Sequence, residues 1–221
     1  MQETKKAAPG RHELTGKQKC YLAVKYTLDF LIALGALAVL LVPMGVLCAA
    51  VFLEDRGPVI FTQKRIGKDR KTFTLYKFRT MKMDTPHDTP THLLADPQQY
   101  ITKVGRFLRK FSLDELPQLL NILLGHMSLV GPRPALWNQY DLMAEREKYG
   151  VHQLRPGLTG WAQINGRDEL EIPVKAALDG EYLRKAGLGM DIRCIFGTVG
   201  AVLRADGVVE GGTGAGQGQK K

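Results

Sequence analysis

An uncharged stretch of 24 residues, from Phe30 to Leu53, constrains this chain more than any other part of its sequence. A helix of that length can cross a hydrocarbon core of about 30 Å. The stretch starts late and is longer than the apolar region of a signal peptide, which disfavours cleavage. We therefore expect a membrane helix that stays on the protein. A buried core helix of a soluble protein is a weaker alternative.

Pro43 lies inside this stretch, where a proline removes one backbone hydrogen bond and clashes with the preceding turn. A sharp bend there would leave two arms, 30–42 and 44–53, each reaching about half the bilayer thickness. Both flanks, 1–25 and 56–82, are rich in basic residues, and the positive-inside rule places both in the cytoplasm. We predict a re-entrant helix-break-helix hairpin, with one kinked spanning helix as the alternative because membrane helices tolerate proline.

The net charge of the chain indicates which partners it can bind, and its cysteine content indicates which kinds of site it can contain. The chain has 31 Lys and Arg against 22 Asp and Glu, a net charge of +9, which indicates nucleic acid, anionic lipid or a phosphorylated substrate. Its 3 cysteines are widely spaced and have no partners at metal-ligand spacing. This excludes a disulfide scaffold and a zinc finger, and it fits a reducing compartment.

The remaining patterns predict an α+β protein that is mostly helical, with a short β-hairpin and amphipathic surface helices. Runs rich in β-branched and aromatic residues, 59–63 and 72–78, flank a polar turn and predict the hairpin. Helices are expected after Ser112, over 136–149 and over 170–186. We divide the chain into a flexible N-terminus (1–16), a membrane-anchoring helical hairpin (17–55), a main domain (56–205) and a flexible glycine-rich tail (206–221).

The last helical segment has apolar residues along one face beside two arginines. Such a face either lies on a bilayer surface or packs against the protein core. The residues concerned are Ile192, Ile195, Phe196, Val199, Val202 and Leu203.

Two adjacent carboxylates, Asp114 and Glu115, open the leucine-rich helix predicted after Ser112. Ser112 and Glu115 fit a capping box, and Pro117 suits a helix start, so capping is the favoured structural interpretation. A functional interpretation stays open because basic residues lie nearby in sequence. Two carboxylates among arginines suit a site for Mg²⁺ and phosphate, and an ionised Asp can also accept a phosphoryl group.

Two loops, 131–134 and 155–167, are dense in glycine, proline and arginine. Glycines let backbone N–H groups approach an anion, and Arg155 and Arg167 carry the charge to neutralise a nucleotide diphosphate. Rigid turns between elements are the alternative interpretation. Trp161 can stack on a base, although packing is the commoner use of a single tryptophan.

Three blocks of sequence together resemble the bacterial sugar transferase family, the monotopic polyprenyl-phosphate phosphoglycosyl transferases. The blocks are YKFRTM (76–81), SLDELPQLLNILLGHMSLVGPRP (112–134) and RPGLTGWAQINGR (155–167). The resemblance runs from about residue 25 to about residue 203, and the length resembles the minimal members of the family. It implies a re-entrant hairpin broken at Pro43, with a catalytic domain over 56–205 on the cytoplasmic face of the bacterial membrane.

The resemblance also implies a reaction. Asp114 would be the nucleophile that attacks the sugar-linked phosphate of a UDP-sugar and expels UMP, and Glu115 would be associated with Mg²⁺. Undecaprenyl phosphate would then accept the phosphosugar and start a lipid-linked glycan for exopolysaccharide, capsule, O-antigen or glycoprotein. Arg109 and Arg133 are favoured for phosphate contact and the 155–167 loop for the nucleotide. The full set of expected substrate-binding residues is Lys77, Arg79, Arg109, Arg133, Arg155 and Arg167.

The expected partners are thus a UDP-sugar, undecaprenyl phosphate and the inner leaflet, without nucleic acid. Other glycan-assembly enzymes or a second copy of the chain are further candidate partners. A rival interpretation is a non-catalytic, membrane-anchored basic module that binds anionic lipid or nucleic acid. A soluble aspartyl-phosphate phosphatase is a lesser one. The chain departs from the family pattern at Tyr26, Val42, His126 and Asp168, where relatives usually have Arg, Ser, Asp and Asn.

Overall fold

The computed structural model describes residues 10–85, 97–166 and 170–203 of the chain. Within these ranges the protein is mostly helical and carries two small β-sheets, which confirms the predicted α+β class. The predicted tail (206–221) and part of the predicted N-terminus lie outside the described residues. The elements in chain order are α1 (Gly16–Glu54), β1 (Ile60–Ile66), β2 (Thr72–Phe78), α2 (Lys103–Lys110), α3 (Gln118–Leu123), β3 (Ser128–Val130), α4 (Tyr140–Glu147), β4 (Gly157–Thr159), α5 (Trp161–Ile164), α6 (Ile172–Arg184) and α7 (Leu188–Leu203).

Helix α1 is a single α-helix of 39 residues with Pro43 inside it. Thr15 begins it with a capping box in which the Thr15 and Gln18 side chains each bond the other residue's backbone. The two predicted arms are therefore joined by helical backbone at Pro43, and the sharp bend expected there stays a prediction. Both halves of α1 pack on the domain, which supports the helix on either side of Pro43.

Both ends of α1 pack on the same domain. Leu22 near its start is buried with Tyr182 of α6, and Val51 near its end is buried with Leu108 of α2. The Glu54 carboxylate then accepts hydrogen bonds from the first backbone N–H groups of α2, at 2.6 and 2.8 Å. A helix held at both ends by one domain does not deliver those ends to opposite sides of a bilayer. These contacts disfavour the kinked spanning helix.

The opposite face of α1 is apolar and points outward. Val39 is 77% exposed and Leu53 74% exposed, and α1 is long and apolar enough to cross a membrane by length and composition. This exposure does not fit a helix buried in a core, and the membrane position of α1 stays a prediction. Helix α7 behaves similarly, because Phe196 is 71% exposed while Cys194 on its other face is fully buried. Of the apolar face predicted for this segment, the described side chains are exposed rather than packed in the core: Ile192, Ile195, Phe196 and Val199.

The predicted β-hairpin is confirmed. Strands β1 and β2 pair antiparallel with Ile60 opposite Phe78. The turn between them places Asp69 and Arg70 at positive φ, 53° and 60°, which closes the connection tightly. Phe73 and Leu75 of β2 are buried beneath α1 and α3, so the hairpin forms a floor for the segments that follow.

The two glycine-rich loops meet in a parallel pair, β3 and β4, that the sequence patterns did not predict. A Cβ atom on Gly157 would lie 2.1 Å from the backbone nitrogen of Gly131, so these glycines allow the backbones to touch. The Gly131 N–H donates to the Thr159 carbonyl at 2.8 Å, and the Gly157 N–H donates to the Pro132 carbonyl at 2.9 Å. Because backbone acceptors satisfy both groups, the rigid-turn interpretation holds for these glycines, rather than an anion cradle.

The helices of the second half follow the predictions in part. Helix α6 occupies most of the predicted 170–186 segment, whereas α4 begins at Tyr140, four residues later than predicted. Helix α4 packs against α6 through Leu142 and Ala176, which are both buried. These contacts give the second half a hydrophobic cluster of its own, apart from the one beneath α1.

A buried charged group, here called the anchor cluster, joins α1 to α7 and β3. It consists of Lys25, Asp29 and Asp191, with hydroxyl groups around them. The Lys25 ammonium lies 3.2 Å from Asp29 Oδ2 and 2.9 Å from Asp191 Oδ2. Tyr21 and Tyr182 donate hydrogen bonds to Asp191, and Ser128 donates one to Asp29. The cluster holds the start of α1 against the domain with every charge paired.

Candidate active site

The Asp114–Glu115 pair lies in a turn ahead of α3, not inside a helix. Ser112 adopts the left-handed conformation, with φ 55° and ψ 24°, and its side chain makes no capping hydrogen bond. A 3-10 turn over Leu113–Glu115 follows, and α3 begins only at Gln118. The predicted capping box is therefore wrong. Pro117, with its preset φ and no N–H to satisfy, sets the helix start after the pair rather than before it.

Cations from two other segments meet this turn. The Lys77 ammonium, from β2, lies 2.8 Å from Glu115 Oε1 and 3.9 Å from Asp114 Oδ2. Arg133, from the loop after β3, places Nη1 3.4 Å from the same Glu115 oxygen. Thus the hairpin, the turn and the glycine-rich loop each supply part of one charged group, here called the acidic site.

The pKa values of the two carboxylates are shifted in opposite directions. Burial alone would raise the pKa of Glu115, but Lys77 and Arg133 outweigh it and hold that pKa at about 2. Burial raises the pKa of Asp114 above its ordinary value, more than Lys77 lowers it, and the neighbouring charge of Glu115 adds to the rise. The negative charge of Glu115 is therefore neutralised by Lys77 and Arg133. The Asp114 anion is less stabilised, which makes it more reactive toward an electrophile.

Arg109 belongs to the same surroundings. Its guanidinium Nε donates a 2.7 Å hydrogen bond to Thr80 Oγ1, at the end of the hairpin. Its positive charge also lowers the pKa of Asp114, although less than burial raises it. The structure thus brings Lys77, Arg109 and Arg133 to the predicted acidic pair.

The other predicted arginines lie elsewhere. Arg79 is buried and pairs with Asp55 just after α1, with its Nη1 3.2 Å from Asp55 Oδ2 and a second bond to the Asp55 carbonyl. The Arg155 guanidinium stacks on the ring of Tyr26, 4.2 Å from its centroid. Arg167 lies outside the described residues. For Arg79 the observed contacts fix the end of α1 to β2.

The acidic pair is compatible with one class of metal ion. Within 10–85, 97–166 and 170–203, no group of three or more His, Cys, Asp or Glu side chains is placed to form a protein-only cage. The contacts of Lys77 and Arg133 with Glu115 are both made to Oε1. Mg²⁺ commonly takes one or two carboxylates and completes its shell with water and substrate phosphate. Asp114 and Glu115 fit that pattern.

Sequence reasoning missed one positioning residue, Asn121. Its side chain is fully buried, donates to the Thr74 carbonyl at 2.7 Å and accepts from the Tyr76 N–H at 3.1 Å. It thereby ties α3 to β2, which carries Lys77. An Asn among the leucines of an otherwise apolar helix was the available signal, because a buried amide needs partners.

Two other residues of the sequence analysis have packing roles here. Trp161 packs on the core beside α6, and its ring N–H donates to Glu181 Oε2 at 3.0 Å. This agrees with the packing interpretation of Trp161 rather than base stacking. His126 lies with its ring centroid 5.5 Å from that of Phe73.

Similarity to known proteins agrees with this geometry. Residues 20–205 match the family described as Bacterial sugar transferase. The chain is 45% identical over 160 residues to an uncharacterized sugar transferase of Bacillus subtilis, covering 72% of this chain and 77% of that protein. It is 44% identical over 179 residues to the UDP-glucose:undecaprenyl-phosphate glucose-1-phosphate transferase of Escherichia coli, covering 76% of this chain and 38% of that enzyme. It is also 39% identical over 189 residues to an exopolysaccharide production protein of Rhizobium leguminosarum, covering 80% of this chain and 94% of that protein.

Proposed function

The chain belongs to the bacterial sugar transferase family and is an enzyme of the transferase class, and we propose that it transfers a sugar phosphate from a UDP-sugar to undecaprenyl phosphate. The Escherichia coli relative is named for this reaction with UDP-glucose. The product would start a lipid-linked glycan, and the Rhizobium relative, named for exopolysaccharide production, supports that use. A non-catalytic basic module does not require a carboxylate such as that of Asp114, which lies among cations without a close partner in the described part of the chain.

The observation that carries the proposal is the unequal pairing of the two carboxylates. Glu115 makes direct contacts with Lys77 and Arg133, at 2.8 and 3.4 Å. For Asp114 the nearest contact with a cation in the described part of the chain is Lys77 at 3.9 Å, beyond hydrogen-bond distance. A carboxylate that is ionised, poorly neutralised and close to cations has the properties of a nucleophile for phosphorus.

In the first proposed step, an oxygen of Asp114 attacks the phosphorus that carries the sugar. A bond forms between that oxygen and the phosphorus, and the bond from the phosphorus to the bridging oxygen of the diphosphate breaks. UMP leaves with the electron pair on its phosphate oxygen. Lys77, Arg109 and Arg133 neutralise the charge that develops on the phosphoryl oxygens, which is the main requirement of phosphoryl transfer.

In the second step, a phosphate oxygen of undecaprenyl phosphate attacks the same phosphorus. The bond from the phosphorus to Asp114 breaks, and the carboxylate is regenerated as the sugar leaves on a lipid diphosphate. Both attacking groups are already ionised, so neither step needs a general base. Two steps also let one enzyme use a water-soluble donor and a lipid-bound acceptor in turn.

We further propose that Glu115, together with Asp114, holds Mg²⁺ against the substrate diphosphate. The bound ion would supply positive charge toward the phosphoryl oxygens. Treatment with a chelator should abolish UMP release, and added Mg²⁺ should restore it. Activity that survives thorough chelation would refute the metal requirement and leave the aspartyl chemistry standing.

The proposed membrane position is monotopic, with the domain on the cytoplasmic side and α1 entering the inner leaflet without crossing. Support comes from the contacts of both ends of α1 with one domain and from the outward apolar faces of α1 and α7. Phe107 and Phe111, which are exposed just before the acidic site, continue this apolar surface. The acidic site would then lie near the level where a lipid phosphate is found.

Labelling of single cysteines in sealed vesicles tests the topology. Cysteines introduced at Lys17 and Lys68, both exposed and on either side of the apolar stretch, should react from the same side. The parent protein for this test carries serine at Cys20 and Cys48. Reaction from opposite sides would establish a spanning helix.

UMP release by the purified protein in nanodiscs tests the reaction itself. We expect release with one or a few members of a UDP-sugar panel, dependent on undecaprenyl phosphate. Without the acceptor, a UDP-sugar labelled in its sugar should leave up to one label per protein, which added undecaprenyl phosphate removes. Asp114→Asn should abolish labelling, whereas Glu145→Gln, which alters a carboxylate paired with Lys148 at the surface, should not. Turnover without any protein-bound label would refute the covalent step.

A further inference from the structure

A second cavity lies away from the acidic site, between the first turns of α1 and the end of α3. Its volume is about 470 Å³, within the range of small-molecule pockets, which is roughly 300 to 1,000 Å³. We call it the α1–α3 cleft, and the residues that the argument uses are Ala23, Tyr26, Thr27, Phe30, Leu124 and Arg155.

Arg155 supplies the charge of the α1–α3 cleft. Its backbone N–H donates to the Tyr26 hydroxyl at 3.2 Å, and its guanidinium stacks on the Tyr26 ring, so its position is fixed. Among the residues that the structure describes, the guanidinium makes no hydrogen bond and no ion pair. The lining contains no carboxylate. A guanidinium has five N–H donors and no acceptor, so the cleft is suited to an anion.

The rest of the lining is suited to hydrocarbon. Phe30 is 43% exposed and Leu124 is 58% exposed, and Leu31 continues the apolar surface along α1. Thr27 is the other hydroxyl-bearing residue of the lining besides Tyr26. The cleft is therefore amphiphilic, with one cation and two hydroxyls beside an open apolar wall.

The α1–α3 cleft is distinct from the acidic site. Ile122 and Gly125 line the cleft at the end of α3, whereas Asp114 precedes the start of α3. Neither Lys77 nor Arg133 lines the cleft. The cations that contact the acidic pair directly are therefore not part of the cleft lining.

We propose that the α1–α3 cleft binds a bilayer phospholipid, with the phosphate on Arg155 and the acyl chains along the exposed face of α1 beside Phe30. The proposal rests on the monotopic membrane position proposed above. Such a lipid would fix the depth at which α1 enters the leaflet. It also gives Arg155 a lipid partner in place of the nucleotide that the sequence suggested.

Native mass spectrometry of the full chain, released from detergent with added phosphatidylglycerol, measures this binding. Arg155→Gln should weaken binding of the lipid by at least about tenfold, as expected for loss of a charge-assisted contact. Arg193→Gln is the matched control because Arg193 is exposed on α7, also at the proposed membrane surface, but does not line the cleft. It should change the affinity by less than twofold. Equal binding by Arg155→Gln and the unchanged protein would overturn the proposal.

Ala23→Leu separates a shaped site from a general attraction of charge. Ala23 is exposed and lines the cleft, so the larger side chain narrows the cavity and leaves Arg155 in place. We expect binding of phosphatidylglycerol to weaken in this variant as well. Undiminished binding by Ala23→Leu would overturn the proposal even if Arg155→Gln binds poorly.

The KM for the UDP-sugar distinguishes a lipid site from a nucleotide site. Arg155→Gln should leave this KM within about twofold in nanodiscs of fixed composition. A large rise in KM with unchanged binding of phosphatidylglycerol would mean that Arg155 binds the donor, against the proposal. These readouts do not depend on Asp114, so a failure of the aspartyl mechanism and a failure of the lipid site remain separate results.

Discussion

The anchor cluster and the acidic site are both charged groups removed from solvent, but they differ in how completely their charges are paired. In the anchor cluster, Asp191 pairs with the Lys25 ammonium at 2.9 Å and accepts hydrogen bonds from two tyrosine hydroxyls at 2.8 and 2.6 Å. In the acidic site, Asp114 lies 3.9 Å from Lys77. Pairing and hydrogen bonding offset the cost of burying a charge. The charges of the anchor cluster are therefore paired within the protein, whereas on the proposed function the acidic site gains its missing partner when a substrate binds.

The contrast separates structural from chemical use of the same residue types. A saturated group adds rigidity and resists change, and here it joins α1 to α7 and β3. An unsaturated group retains electrostatic free energy that a charged substrate can release. Changes in the anchor cluster should therefore act mainly on stability, and changes in the acidic site mainly on turnover.

The largest expected effect is that of Asp114→Asn. The amide cannot act as the nucleophile, so UMP release should fall at least about 10³-fold. The temperature of unfolding should change by less than about 3 °C, because among the described residues the nearest cation to Asp114 is Lys77, at 3.9 Å. Parallel measurement of UMP release and thermal unfolding checks both parts. Activity within tenfold of the unchanged protein would remove Asp114 from the mechanism.

Lys25→Met should produce the opposite pattern. It leaves Asp29 and Asp191 buried without their cation, which costs about 3 to 5 kcal/mol in the free energy of unfolding. Denaturant unfolding in detergent measures the loss, with Lys19→Met, an exposed change on the same helix, as the control. The rate of UMP release per folded molecule should stay within about threefold. A loss of stability no greater than that of the control would show that the anchor cluster does not stabilise the fold.

Lys77→Met is expected to lower kcat/KM for the UDP-sugar by about 10²-fold, as for the loss of one preorganised charge at a reacting group. It also removes the closest cation from Glu115, at 2.8 Å. Lys64→Met on the neighbouring strand β1 is the matched control, because Lys64 lies near Trp137 rather than near the carboxylates. Steady-state kinetics on both variants provides the comparison. Equal effects of the two changes would argue against a specific role for Lys77.

Tyr182→Phe tests a single hydroxyl of the anchor cluster. The hydroxyl donates to Asp191 at 2.6 Å and lies 3.2 Å from the Val130 carbonyl. Its loss should lower the free energy of unfolding by about 1 to 3 kcal/mol, the range for a hydrogen bond to a charged group. The value of kcat/KM should stay within about twofold. A lower kcat/KM with an unchanged free energy of unfolding would contradict the assignment of the anchor cluster to stability rather than to turnover.

The smallest expected effect concerns a charge contact at the surface, which serves as a reference for the two buried groups. A hydrogen bond from Arg70 holds the pKa of Glu147 below its ordinary value of 4.5. Because the folded pKa is the lower one, this contact stabilises the fold above pH 4.5, and the contribution is lost as the pH falls through the folded pKa. Glu147→Gln should cost less than about 1 kcal/mol at neutral pH. Urea unfolding from pH 7 down to pH 3 should show the two proteins converging, and a constant difference would contradict the prediction.

Local patterns predicted the elements whose cause is local. The β-branched and aromatic residues of 59–63 and 72–78, with a polar turn between them, were enough to predict the hairpin, because strand pairing across a short turn is decided by neighbours in sequence. The apolar length of 30–53 was enough for a helix with an outward face. The sequence also singled out Asp114 and Glu115, since two adjacent carboxylates near several arginines form an unusual local pattern.

Features that depend on distant contacts were beyond those patterns. The capping box at Ser112 satisfied every sequence rule, yet Ser112 is left-handed and the helix begins after Pro117. The parallel pair β3 and β4 joins strands of three residues each, too short to carry a periodic signal. Helix α1 continues through Pro43 because both of its halves pack on one domain. A rule that considers only the residues within one helical segment does not include such contacts.

The sequence by itself determined which segments are apolar, where the chain turns tightly and which residues carry charge. Only the tertiary structure decided which charges meet. Arg79 and Arg155 were expected to bind substrate, as Arg109 and Arg133 were, but Arg79 pairs with Asp55 and Arg155 stacks on Tyr26. Lys77 and Glu115 are 38 positions apart in the chain and 2.8 Å apart in the fold. Electrostatic free energy depends on distance in space and on burial, so the identity of a charged residue does not reveal its role until the fold has chosen its neighbours.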